Sequence, residues 1–137
     1  MGGNRIYYTT NFGYPKDEPV ICYFTLSQRN CVFHAINESG QHRELAKLWE
    51  DDYLPAPIDA DNFYFTFNVH KKMVKLLDNT IKWLNEQPST WQYSKRKTYW
   101  ADGSTDKEVA LDALEWLKEI FEKAKGFNVY FDDALAW

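Results

Sequence analysis

The chain has 137 residues, a size that suits one domain over 1–137 with one core. Hydrophobic residues make up 45% and charged residues 26%, which excludes collagen-like repetition and wholesale disorder. The net charge is -4, and six Trp, nine Tyr and nine Phe give an aromatic share of 18%, so some rings are expected at the surface.

Residues 1–20 carry no apolar signal core, and every apolar run is far shorter than the ~20 residues that span a bilayer. No membrane association is expected. The two cysteines, Cys22 and Cys31, lie in apolar runs, as small buried thiols do in a reducing compartment, so the cytoplasm is the expected location.

Arg5 to Thr10 reads as a first strand, ended by the turn-rich stretch from Asn11 to Pro19. Val20 to Leu26 and Cys31 to Ile36 are rich in β-branched and aromatic residues and predict a hairpin across Ser27-Gln28-Arg29-Asn30. Leu45, Leu48 and Trp49 then fall at helical spacing. In Asn62 to Val69, Phe63, Phe65, Phe67 and Val69 alternate with Asn62, Tyr64, Thr66 and Asn68, which predicts a strand with one polar face.

A second helix is predicted from His70 or Lys71, burying Met73, Val74, Leu77, Ile81 and Leu84 and stopping before Pro88. Trp91 to Trp100 reads as a strand closed by the Asp102-Gly103 turn. Thr105 and Glu108 form a capping box for a third helix, whose stripe is Ala110, Ala113, Leu114, Leu117, Ile120, Phe121 and Ala124. Phe127, Val129 and Phe131 predict a last strand. Together these elements predict an α+β fold: a mostly antiparallel sheet of five or six strands with three amphipathic helices packed mainly on one face.

Charge is unevenly distributed. Five basic residues face nine acidic ones in 1–69, seven face two in 70–100, and four face nine in 101–137. A positive patch is therefore expected from the middle segment, able to select a partner of opposite sign. Lys71, Lys72 and Lys75 sit at the start of the second helix, where an anion would be welcome; solvated lysines are the plainer reading. Lys95, Arg96 and Lys97 are bracketed by Trp91, Tyr93, Tyr99 and Trp100. As a strand, that run places Trp91, Tyr93, Lys95, Lys97 and Tyr99 on one face, the arrangement that single-stranded nucleic acid needs. An edge strand guarded by lysines is the competing reading, and a pI of 5.3 is low for a nucleic-acid binder.

Motifs for acyl transfer, nucleotide phosphates and zinc are missing, so no catalytic residue, metal site or cofactor is expected. The acidic residues Glu50, Asp51, Asp52, Asp59 and Asp61 lack the spacing of a calcium loop. Cys22 and His34 come face to face if the hairpin loop has three residues, the minimum for thiolate chemistry. Tyrosine combines large contact area with few torsions to freeze, so Tyr7, Tyr23, Tyr64, Tyr93 and Tyr130, with Asn62, Thr66 and Asn68, are the expected partner-binding face. The expected function is a small non-enzymatic protein-binding module of the inhibitor or immunity type. A nucleic-acid binder using segment 70–100 is the alternative, and a ligand-binding or enzymatic domain a third. A second copy of the chain also suits the tyrosine face.

Overall fold

The structure is a computed structural model that describes residues 3–9, 22–45, 47, 53–55, 63–65, 70–95, 97, 99–123 and 128–133. Side chains are described for 24–25, 27–45, 47, 71–95, 97 and 99–123. Four helices dominate: α1 (Leu26–Glu38), a short helical segment α2 (42–45), α3 (His70–Asn85) and α4 (Asp106–Lys123).

The predicted hairpin does not form, because its second half is helical. The Thr25 hydroxyl accepts from the Gln28 amide at 3.2 Å and the Gln28 side chain accepts from the Thr25 amide at 2.9 Å, a capping box that starts α1. Cys31, Val32, Ala35 and Ile36 then fall on one buried stripe at helical spacing. At the far end Gly40 takes φ +84, the left-handed conformation that turns the chain out of the helix, and Gln41 donates back to the Ile36 carbonyl at 3.1 Å.

α3 and α4 supply most of the core. Leu76, Leu77, Ile81 and Leu84 of α3 are buried, as are Ala110, Ala113, Leu114, Leu117, Ile120 and Phe121 of α4. Met73 and Leu45 extend this cluster, and α1 closes it with Cys31, Val32, Ala35 and Ile36. Thr80 is buried among them but satisfied: its hydroxyl donates to the Leu76 carbonyl at 2.9 Å and lies 3.4 Å from Ser39 Oγ. Lys107 Nζ donates to the carbonyls of Asn85 and Gln87 at 3.2 and 2.7 Å, satisfying the end of α3 from the start of α4. Lys118 and Asp78 bridge the same two helices at 2.9 Å.

Five strands are also present, β1 (Gly3–Thr9), β2 (Cys22–Thr25), β3 (Tyr53–Pro55), β4 (Phe63–Phe65) and β5 (Asn128–Asp133), paired antiparallel in the order β2-β1-β5-β4-β3, with β1 and β2 against α1. They do not make the fold the predicted α+β layer. Of the residues with described side chains, 68% are helical and 3% belong to a single strand, and no sheet is present in that body. Phe24 is its one buried strand residue, packing edge-on against Trp116 with centroids 5.8 Å apart. The core is thus built between helices, where the prediction placed helices on a five- or six-stranded sheet. Trp91 to Trp100 is a second correction, since no strand forms among its described residues. Leu48, Trp49, Asn62, 66–69, Ala124 and Phe127 lie outside the described residues.

Leu77 and Leu114 are fully buried on facing helices. Replacing either by Ala should cost about 2–5 kcal/mol through lost contacts and the cavity left behind, read as a lower midpoint in denaturant unfolding. A loss below about 1 kcal/mol at both positions would contradict a core centred on α3 and α4.

Candidate functional site

The segment between α3 and α4 is irregular, and one carboxylate organises it. Asp106, 5% exposed, accepts from the Trp100 indole N–H at 2.8 Å through Oδ1 and from the Tyr93 amide at 3.2 Å through Oδ2. Its backbone carbonyl accepts from the Cys31 thiol at 3.3 Å. The residue stands in the first turn of α4, where a negative charge is favoured. Just before it, the Thr105 hydroxyl accepts from the Glu108 amide and Glu108 Oε1 accepts from the Thr105 amide, at 3.2 and 3.1 Å. This capping box is the one the sequence predicts.

Further anchors fix the rest of the segment. Trp91 is buried, and its indole N–H donates to Glu38 Oε2 on α1 at 2.9 Å. Its amide donates to the Pro88 carbonyl at 2.9 Å. Gly103 adopts φ +78 and donates to the Trp100 carbonyl at 3.0 Å, while Asp102 Oδ1 accepts from the Ser104 amide at 3.0 Å. Trp91, Tyr93 and Trp100 thus hold the segment on the helices, and Trp91 and Trp100 border one cavity with Lys97.

What remains outward is smaller than predicted. Tyr99 is 83% exposed, Lys95 and Lys97 are exposed, and Lys97 Nζ stands 5.4 Å from the Tyr99 ring centroid. A cavity of about 460 Å³ opens beside them, lined by residues that include Gln92, Lys97, Tyr99, Trp100, Ser104 and Thr105. Arg96 lies outside the described residues.

A second cavity, about 520 Å³, opens between α2 and α3. Lys72 and Lys75 of α3 meet Lys47 there, with Glu44, Gln41 and Asn79 in the same wall. Lys47 lies 3.7 Å from Glu44, and Asn79 Nδ2 donates to Gln41 Oε1 at 3.5 Å. Lys72 and Lys75 make no ion pair among the described residues. Lys71 is exposed on the same helix but does not line the cavity.

The tyrosine set divides. Tyr93 is half-buried against the core, its ring 5.7 Å from that of His34. Tyr7, Tyr64 and Tyr130 occupy one register row, Tyr7 opposite Tyr130 and Tyr130 opposite Tyr64, while Tyr23 lies opposite Arg5. Asn62, Thr66 and Asn68 lie outside the described residues, as do Trp137 and the acidic residues Glu50, Asp51, Asp52, Asp59 and Asp61. Because the predicted hairpin is absent, the geometry proposed for Cys22 and His34 does not arise; His34 is exposed on α1.

Glu38, Gln41, Asn79 and Asp106 are not among the residues that the sequence singles out. The acidic residue after a capping Thr is a visible signal for Asp106. Nothing local signals Glu38, which meets Trp91 across 53 residues. Comparison with protein-family models, curated proteins and solved structures finds no match.

Burial pushes the Cys31 thiol from its ordinary 9.0 up to about 12, with the negative charge of Asp106 adding to the rise and a backbone hydrogen bond from Ala110 opposing it. The raised value means that the stability tied to the neutral thiol is whole below pH 9.0 and is lost as pH climbs toward 12. In a Cys22→Ser background, Cys31 should resist aromatic disulfide reagents at mildly alkaline pH and react only as the chain opens. Denaturant midpoints should fall across the same alkaline window. Prompt reaction of the native protein would contradict this placement.

Proposed function

We propose that the protein is a non-enzymatic binding module that takes an acidic segment of a partner protein into the groove between α2 and α3. The observation that supports this reading most directly is the convergence of Lys47 with Lys72 and Lys75 of α3 on one cavity. Lys72 and Lys75, three apart on α3, lie on the same side of the helix. Two cations without ion-pair partners among the described residues leave the groove a positive potential inside a chain of net charge -4.

The lining chemistry favours carboxylates over nucleic acid at this groove. None of its described lining residues is aromatic, so bases have no platform for stacking. Glu44 within the wall would repel an extended polyanion, whereas a peptide can set its carboxylates against Lys72 and Lys75 singly. Gln41 and Asn79 offer amide donors and acceptors to the peptide backbone. The inhibitor or immunity role expected from the sequence is compatible with recognition by charge and shape alone.

A fluorescent oligoglutamate peptide provides the probe. The wild-type protein should bind it at low salt, more weakly as salt screens the lysines, and the double variant Lys72→Glu/Lys75→Glu should lose about tenfold or more in affinity by anisotropy. Both positions are exposed, so the variant should keep its helical circular dichroism. Equal affinity of the two proteins would overturn the reading.

A further inference from the structure

A different observation, independent of the acidic-peptide groove, concerns the cavity against the segment between α3 and α4. We infer that this cavity is a nucleotide-binding site, with the base stacked on Tyr99 and the phosphate met by Lys97. Three features carry the inference. Tyr99 is 83% exposed although its side chain is large and apolar for most of its area, and no described ring stacks on it. Lys97 Nζ stands over the Tyr99 ring, 5.4 Å from its centroid, so a cation covers one face and a base would take the other. A cavity of about 460 Å³ adjoins both, a volume in the range of small-molecule sites.

Most of the lining suits a nucleotide; Asp106 also borders the cavity, but its carboxylate oxygens accept from Trp100 and Tyr93. Tyr99 and Trp100 supply aromatic surface, Lys97 a positive charge, and Gln92, Ser104 and Thr105 neutral donors and acceptors for a base edge or ribose hydroxyls. The walls are preorganised: the Trp100 indole is tied to Asp106, Trp91 to Glu38, and the 100–103 turn is closed by its own backbone bond. Fixed walls lower the ordering cost that a ligand must offset. Base stacking is sequence-tolerant, since every base has a flat face. The chain's net charge of -4 and the acidic first turn of α4 oppose a long polyanion, so the site takes one nucleotide unit, either free or within a short single strand.

Calorimetric titration at low salt with adenosine monophosphate, and separately with a short oligothymidylate, tests the inference and distinguishes the two sources. At least one should bind the wild-type protein. Tyr99→Ala should weaken that binding roughly 5- to 150-fold, Tyr99→Phe should retain it, and Lys97→Ala should weaken it and flatten its salt dependence. Tyr99 and Lys97 are exposed, so the variants should fold as the wild type does. Binding of the mononucleotide alone identifies a free ligand, and binding of the oligonucleotide alone a strand. If neither binds, or if Tyr99→Ala costs less than fivefold, the inference is overturned. The oligoglutamate result at Lys72 and Lys75 is read separately, so either site can fail without the other.

Discussion

The course of the chain between α3 and α4, and with it the cavity beside Tyr99, depends on one buried carboxylate. A charge out of water is costly unless hydrogen bonds replace its hydration, and Asp106 meets that condition by accepting from Trp100 and from Tyr93. Those same bonds decide the path of the chain between α3 and α4. They draw an indole and a backbone amide toward the start of α4, which is already fixed by its capping box and by Lys107 reaching the end of α3. Cys31 ties α1 to the same residue through its carbonyl. The course of the segment that carries Tyr99 and Lys97 therefore follows from a single anchored position, while the helices pack through their apolar stripes.

The exposed charge of α3 is mostly basic and that of α4, apart from Lys123, acidic. Lys71, Lys72, Lys75 and Lys82 are exposed on α3, whereas Glu108, Asp112, Glu115, Glu119 and Glu122 are exposed on α4. Packing these helices together buries their apolar stripes and leaves a molecule with separated charge. Trp116, 44% exposed, interrupts the acidic side but touches Phe24, so part of its exposure is spent on packing. No described helix is long and apolar enough to cross a membrane.

Much of the helical core was legible because it rests on periodicity. The stripes of α3 and α4 repeat at helical spacing, and Thr105 with Glu108 announces a helix start on its own. α1 was not legible in the same way. Its Val, Phe and Ile resemble strand residues, and the reading gave that composition more weight than the Thr25–Gln28 capping box and the spacing of Cys31, Val32, Ala35 and Ile36. Trp91 to Trp100 misled for another reason: alternating rings and cations imitate a strand, but the rings answer to Glu38 and Asp106, partners fixed by tertiary packing. The basic groove was half visible, through Lys72 and Lys75; Lys47, Gln41 and Asn79 join it only once α2 turns back toward α3.

Hydrogen exchange followed by NMR tests the role of Asp106 most directly, because the Tyr93 amide and the Trp100 indole N–H each report one of its oxygens. Both protons should be protected and should lose that protection together in Asp106→Ala, while the Leu77 and Leu114 amides of the helix interiors stay slow. Exchange of both protons in the wild-type protein as fast as from an exposed chain would contradict the carboxylate anchor.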